Sequence, residues 1–116
     1  MPELERIPSP YTYSLAVKAG DYAFLGLHRA GGASFAEQFE GTLVFLQDTL
    51  ARLGLTLDAL VKVNAWLKNV QDLPEMEKLF GRYFEPGHYP ARMTATTQFI
   101  DADCLLMIDG VAHLKG

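Results

Sequence analysis

Arg92 stands directly after Pro90-Ala91, where the chain leaves a proline-containing loop and enters a β-like stretch. A guanidinium presented there by a rigid element can grip a carboxylate, because its planar fork makes two parallel charge-assisted hydrogen bonds and its charge does not titrate away. A surface salt bridge is the plainer alternative for the same arginine. Arg92, Thr94, Thr96 and Gln98 alternate along the stretch and so fall on one strand face, while Tyr13 is a polar group on another β-like segment. Such a row lines a polar pocket, or it is a solvated strand face that is rich in Thr because Thr suits strands. Met107, Asp109, Val111 and His113 share one face of the last β-like stretch in the same way. Asp109 is then either an edge charge or a cleft carboxylate.

Other chemistries find less support. His28, His88 and His113 have no spacing suited to metal ligands, and Cys104 has no local partner for a thiolate site, so no metal centre is expected. Gly31-Gly32 alone is a turn, and no nucleophile elbow, phosphate-binding loop or dinucleotide fingerprint is present. The formal charge is −4, and the ten Lys and Arg residues are scattered without a run. Nucleic-acid binding draws most of its free energy from basic side chains neutralising phosphates, so RNA or DNA is not expected as a main partner. The single cysteine excludes an intrachain disulfide, and Met1–Arg6 has neither an apolar nor a basic amphipathic pattern. We therefore expect a cytoplasmic protein. Apolar runs such as Cys104–Ile108 fall far short of the roughly 20 residues that span a bilayer, so no membrane segment is expected.

The elements that must position these residues read as one domain over 1–116. Residues 13–18 and 22–27 are rich in β-formers and flank Ala19-Gly20-Asp21, the pattern of a hairpin, with His28–Ala33 a loop. Ser34 and Glu37 form a capping box, and Phe35, Phe39, Leu43, Leu46, Leu50 and Leu53 recur at helical steps up to Gly54. Residues 60–68 alternate as a strand. Asp72 and Glu75 form a second capping signature, with Pro74 in the first turn and an apolar stripe of Met76, Leu79, Phe80 and Tyr83, which predicts a shorter helix to about Phe84. A loop over Glu85–Pro90 precedes strands at about 91–99 and 104–113. The order ββ-α-β-α-ββ predicts an α+β fold with a single mixed sheet and two helices on one face. Tyr22–Leu27 and Leu105–Val111 are apolar on both sides, so the other face should be covered by association with further copies.

Several of these stretches resemble a known family. Tyr13–Asp21 resembles the Tyr-Ser-x-Ala-Val-x-x-Gly start of the Rid (YjgF-like) reactive-intermediate deaminases. Glu37-Gln38 and the helix after it, Gly54–Leu67, and Pro90-Ala91-Arg92 resemble, in order, the first helix, the Gly-Leu-x-x-x-x-Val-x-Lys stretch and the Pro-Ala-Arg signature of that family. The resemblance implies a chorismate-mutase-like fold, a homotrimer with clefts between subunits, and cofactor-free hydrolysis of enamines and imines, such as 2-aminoacrylate or 2-iminobutanoate, to 2-oxo acids and ammonia. It also implies that Arg92 holds the carboxylate of a small metabolite while a carboxylic acid positions water.

Departures from the family pattern bear on activity. Leu25-Gly26-Leu27 stands where the resemblance implies Ser-Gly-Gln, Glu77 where Asn is usual, and Thr94 at a position commonly Cys or Thr. The acidic water-positioning residue falls on Met107, which transfers no proton; Asp109, one repeat along the same face, is the candidate replacement. The expected ligand-binding set is Tyr13, Arg92, Thr94 and Met107, with Arg92 and Asp109 as the catalytic pair. The alternative expectation is a trimeric protein that binds a 2-oxo acid without turnover.

Overall fold

Ser34 opens the longest element of the protein. In the computed structural model, which describes residues 4–115, its backbone is extended and its hydroxyl accepts the Glu37 N–H at 3.2 Å while donating to the Glu37 carboxylate. Helix α1 (Phe35–Arg52) follows, burying Phe35, Phe39, Leu43, Leu46 and Leu50 along one stripe. Helix α2 (Leu73–Phe80) is shorter at its C-terminal end than the sequence predicts. Beyond Phe80 the bonds tighten to three-residue spacing, with the Arg82 and Tyr83 N–H groups donating to Leu79 and Phe80 carbonyls. Asp72 precedes α2 but does not cap it through its side chain, because it closes a 3₁₀ turn over Val70–Asp72 and is already helical.

Six strands form one mixed sheet: β1 (Glu5–Pro8), β2 (Ser14–Ala19), β3 (Tyr22–His28), β4 (Leu60–Leu67), β5 (Ala91–Thr96) and β6 (Leu106–His113). Their spatial order is β1-β2-β3-β6-β4-β5, and among the described residues only the β4–β5 pair is parallel, as its crossover through α2 requires. This is the expected single mixed sheet with two helices, extended by β1, a four-residue strand too short and proline-terminated to announce itself in sequence. Gly20, at φ +61°, begins the two-residue turn of the β2–β3 hairpin.

Strand β3 runs one residue further than expected, through a bulge. Leu25 lies opposite Gly110 and His28 opposite Ile108, so Gly26 and Leu27 together face one residue of β6. A side chain at Gly26 would meet the Ser14 carbonyl oxygen at 2.9 Å, which reserves the position for glycine. The bulge turns His28 inward rather than leaving it in a loop. Its Nε2 lies 2.8 Å from the Thr49 hydroxyl on α1 and its Nδ1 2.9 Å from the Gly26 carbonyl.

Strand β6, in the middle of the sheet, separates two unlike faces. Leu106, Ile108, Gly110 and Ala112 are buried, and they align with Val63, Ala65 and Leu67 of β4 to form the floor on which the helices pack. Gln38 ties this layer to its loops: its amide donates to the Gly32 and Asp103 carbonyls and accepts the Leu105 N–H. Across the sheet Met107, Asp109, Val111 and His113 join Tyr22, Phe24, Lys62, Asn64 and Trp66, with Phe24 half exposed and Met93 61 % exposed. Among the described residues, no helix covers that face.

Burial lowers the pKa of His28 from its ordinary value, and the Gly26 carbonyl offsets this only in part. The unfolded chain therefore takes up a proton more readily than the folded one, so stability is full above about pH 6.5 and falls as the pH drops below it, by at most about 1.4 kcal/mol per pH unit. Urea denaturation at pH 7.5 and 5.5 should show this loss in the wild type and a smaller loss in His28→Gln. An equal loss in both would assign the acid sensitivity to other groups.

Candidate functional site

The register of β5 on β4 places the candidate arginine. Val63 pairs with Arg92, Ala65 with Thr94 and Leu67 with Thr96, so these three β5 side chains project to the side of the sheet that carries the helices. Because β5 is the outermost strand, Arg92 emerges beside α2 at the rim of the core rather than beneath it. A hollow of about 370 Å³ opens there, lined by Val63, Glu77, Phe80, Tyr89, Pro90 and Arg92.

Each contact of the guanidinium has a definite partner. Its Nε donates to the Thr94 hydroxyl at 3.0 Å, its Cζ lies 5.0 Å from the centre of the Phe80 ring, and one terminal nitrogen donates to Glu77 of α2. The salt bridge that was the plainer reading of Arg92 is thus present, and it lies inside the hollow. The Arg92 side chain is only 26 % exposed and that of Glu77 55 %. Partial desolvation lowers the Arg92 pKa from its ordinary value. An ion pair with one partner this open contributes on the order of 0–1 kcal/mol, so a ligand can displace it at a cost of about fivefold in affinity or less. Phe80 and Thr94 keep the arginine in place whether or not Glu77 is engaged.

The remaining expected site residues do not gather here within one chain. Gln98 leaves the row because β5 ends at Thr96, and it lines a second hollow with Leu27, Trp66, Phe99, Ile100 and Met107 on the open face. Met107 and Asp109 are also on that face, separated from the Arg92 of the same subunit by the thickness of the sheet. Both Asp109 oxygens are engaged, one by the Asn64 amide at 2.7 Å and the other by the Trp66 indole N–H at 2.9 Å. Tyr13 lies in the loop before β2, exposed and stacked on Tyr11. Four interstrand steps, roughly 19 Å, divide β2 from β5.

Leu25 is buried in the core, not at a pocket wall. Phe80, Glu77 and Tyr89 are the site residues that strand patterning missed. Glu77 was visible only as a residue standing where the family resemblance implies Asn, and Tyr89 as part of a loop. Among the described residues, no three His, Cys, Asp or Glu side chains are grouped as metal ligands would be, and no helix is long and apolar enough to cross a membrane.

Comparison with known proteins bears on all of this geometry. A family model described as Endoribonuclease L-PSP matches residues 5–114. A RutC family protein of Pyrococcus horikoshii is 26 % identical over 118 residues, covering 94 % of this chain and 93 % of the relative. A protein of the yjgF family from Streptococcus pyogenes M1 GAS superposes with a TM-score of 0.88 at 31 % identity, over 97 % of this chain and 98 % of its own. A conserved Rid family protein from Yersinia pestis shares the fold, with a TM-score of 0.87 at 18 % identity over 96 % and 99 % of the two chains. With nearly every described residue inside the match, from β1 through the end of β6, the chain belongs to the Endoribonuclease L-PSP family, that of the YjgF and Rid proteins.

Proposed function

We propose that this protein is a hydrolytic deaminase of reactive enamines and imines of the 2-aminoacrylate and 2-iminobutanoate type, releasing 2-oxo acids and ammonia without a cofactor. The observation that carries the reading is Arg92 in its hollow. The guanidinium is held at Nε by Thr94 and backed by Phe80, so its terminal nitrogens, one of them on the exchangeable Glu77 contact, can receive a small carboxylate. A volume of about 370 Å³ suits a metabolite of a few carbons. Family membership supports a small-molecule role of this kind. The ribonuclease named in the family description fits this chain less well, since its net charge is −4 and its basic residues are dispersed.

The working form in this proposal is a homotrimer. The uncovered face, with Phe24, Tyr22 and Met93 exposed on it, supports packing against further copies. Tyr13, Met107 and Asp109 approach an Arg92 hollow only across such a boundary, which fits clefts between subunits. The reduced, buried Cys104 fits a cytoplasmic setting. A second reading, a trimer that binds a 2-oxo acid without turnover, is favoured by one observation. Met107, at the position where the family resemblance implies an acidic residue, offers a cleft between subunits no such group.

A coupled assay of 2-iminobutanoate hydrolysis separates the two. We expect the wild type to exceed the spontaneous rate and Arg92→Ala to lose at least tenfold in kcat/KM; ligand-dependent thermal stabilisation without turnover would favour the binding protein. Light scattering coupled to gel filtration should give a mass of three chains for the wild type and a smaller one for Phe24→Asp. A monomeric wild type would rule out the trimer.

A further inference from the structure

The proposed hydrolysis needs a group that moves protons, and the positions expected to supply one do not. Met107 carries no group that exchanges a proton, and both oxygens of Asp109 are held, one by Asn64 and the other by Trp66. The Arg92 hollow has a single carboxylate in its lining, that of Glu77. Resting on the deaminase reading, we propose that Glu77 and Arg92 form a two-charge recognition pair for a ligand carrying a carboxylate and a protonated nitrogen on neighbouring carbons, and that Glu77 is the catalytic acid and base.

The complementarity is geometric. In a 2-iminio acid the carboxylate and the nitrogen sit on adjacent carbons, close together like the two ends of an ion pair. Such a molecule can enter between Glu77 and Arg92 with its charges reversed against theirs, exchanging one protein ion pair for two ligand contacts. Arg92 keeps its position through Thr94 and Phe80, and Glu77, on a rigid helix and half exposed, has room to turn toward the nitrogen.

The same pair discriminates substrate from product. The iminium form is zwitterionic and satisfies both charges, whereas the 2-oxo acid is a monoanion that meets Arg92 and is repelled by Glu77. Binding therefore weakens once the nitrogen has left.

The proton inventory closes. Water attacks the iminium carbon, its oxygen forming the new C–O bond while the C=N π pair moves onto nitrogen, and Glu77 takes one water proton. The protonated Glu77 then returns that proton to the amine nitrogen of the carbinolamine. The C–N bond breaks with its electron pair leaving on nitrogen, the hydroxyl proton departs with it as ammonium, and the carbonyl of the 2-oxo acid forms. No oxidant or reductant is required.

The test is a calorimetric titration of the full chain as wild type and as Glu77→Gln, with two probes of one carbon skeleton. These are 2-aminobutanoate, a zwitterion, and 2-oxobutanoate, a monoanion; imine turnover is measured alongside. Wild type should prefer the zwitterion, and Glu77→Gln should weaken it by about tenfold or more while tightening the monoanion, inverting the preference. Turnover should fall by about 10²- to 10⁴-fold in the same variant. An affinity ratio unchanged by Glu77→Gln overturns the recognition pair, whatever the activity does. Inverted preference with turnover retained overturns the proton-transfer role alone. A preference inverted by Glu77→Gln, in a protein whose wild type has no turnover, overturns that role together with the deaminase reading and leaves the recognition pair supported. Glu77 is exposed, so the variant should keep its melting temperature, and a matched Tm confirms that binding is being compared between folded proteins.

Discussion

Both helices lie on one side of the sheet, and the two-residue period of β6 enforces that division. Every second residue, Leu106, Ile108, Gly110 and Ala112, is withdrawn from water, and every residue between them faces outward. Shifting β6 by one position against β3 and β4 would send Asp109 into the apolar floor and Ile108 out of it. The core, the arginine hollow and the uncovered face are three outcomes of this alternation. They are not independent designs, since β4 takes its register from β6 and β5 takes its own from β4.

Two carboxylate sites on opposite faces show how differently the sheet treats charge. Asp109 is met by two neutral donors that fix both of its oxygens, a rigid arrangement suited to holding a charge still on an otherwise apolar surface. Glu77 is met by one cation, at the rim, with the cation braced independently by a hydroxyl and an aromatic ring. The first arrangement resists exchange of partners and the second permits it. Exchangeability is the property a binding site requires, and it follows from Arg92 having supports besides Glu77.

Much of the fold was legible in the sequence because it rests on local rules. The Ser34 cap, the apolar stripe of α1, the Gly20 turn and the alternation of β4 from Val63 onward each depend on near neighbours, and each is found where the spacing placed it; Val61, expected on the same face, is exposed where the register shifts. The shortfalls arise where distant contacts decide. β1 is held by pairing with β2 and by Ile7 packing on the core, and His28 is turned inward by a bulge at Gly26, which lies close against Ser14. For the site, Arg92 and Thr94 were legible as a strand-face pair. That Asp109 projects from the other face depends on the order of strands across the sheet, which no periodicity reports. Glu77 and Arg92 are fifteen residues apart on different elements, and only the crossover from α2 into β5 brings them together.

The sheet's two outer strands are unequal. β1 is four residues long, carries charged Glu5 and Arg6, shifts register at its end and terminates in Pro8, which has no N–H to offer a neighbour. β5 presents six residues without proline, and its outward backbone groups have no ladder partner among the described residues. The sheet is therefore closed to growth on one side and open on the other. The open side is the one that carries Arg92, so any strand added there lies along the rim of the hollow.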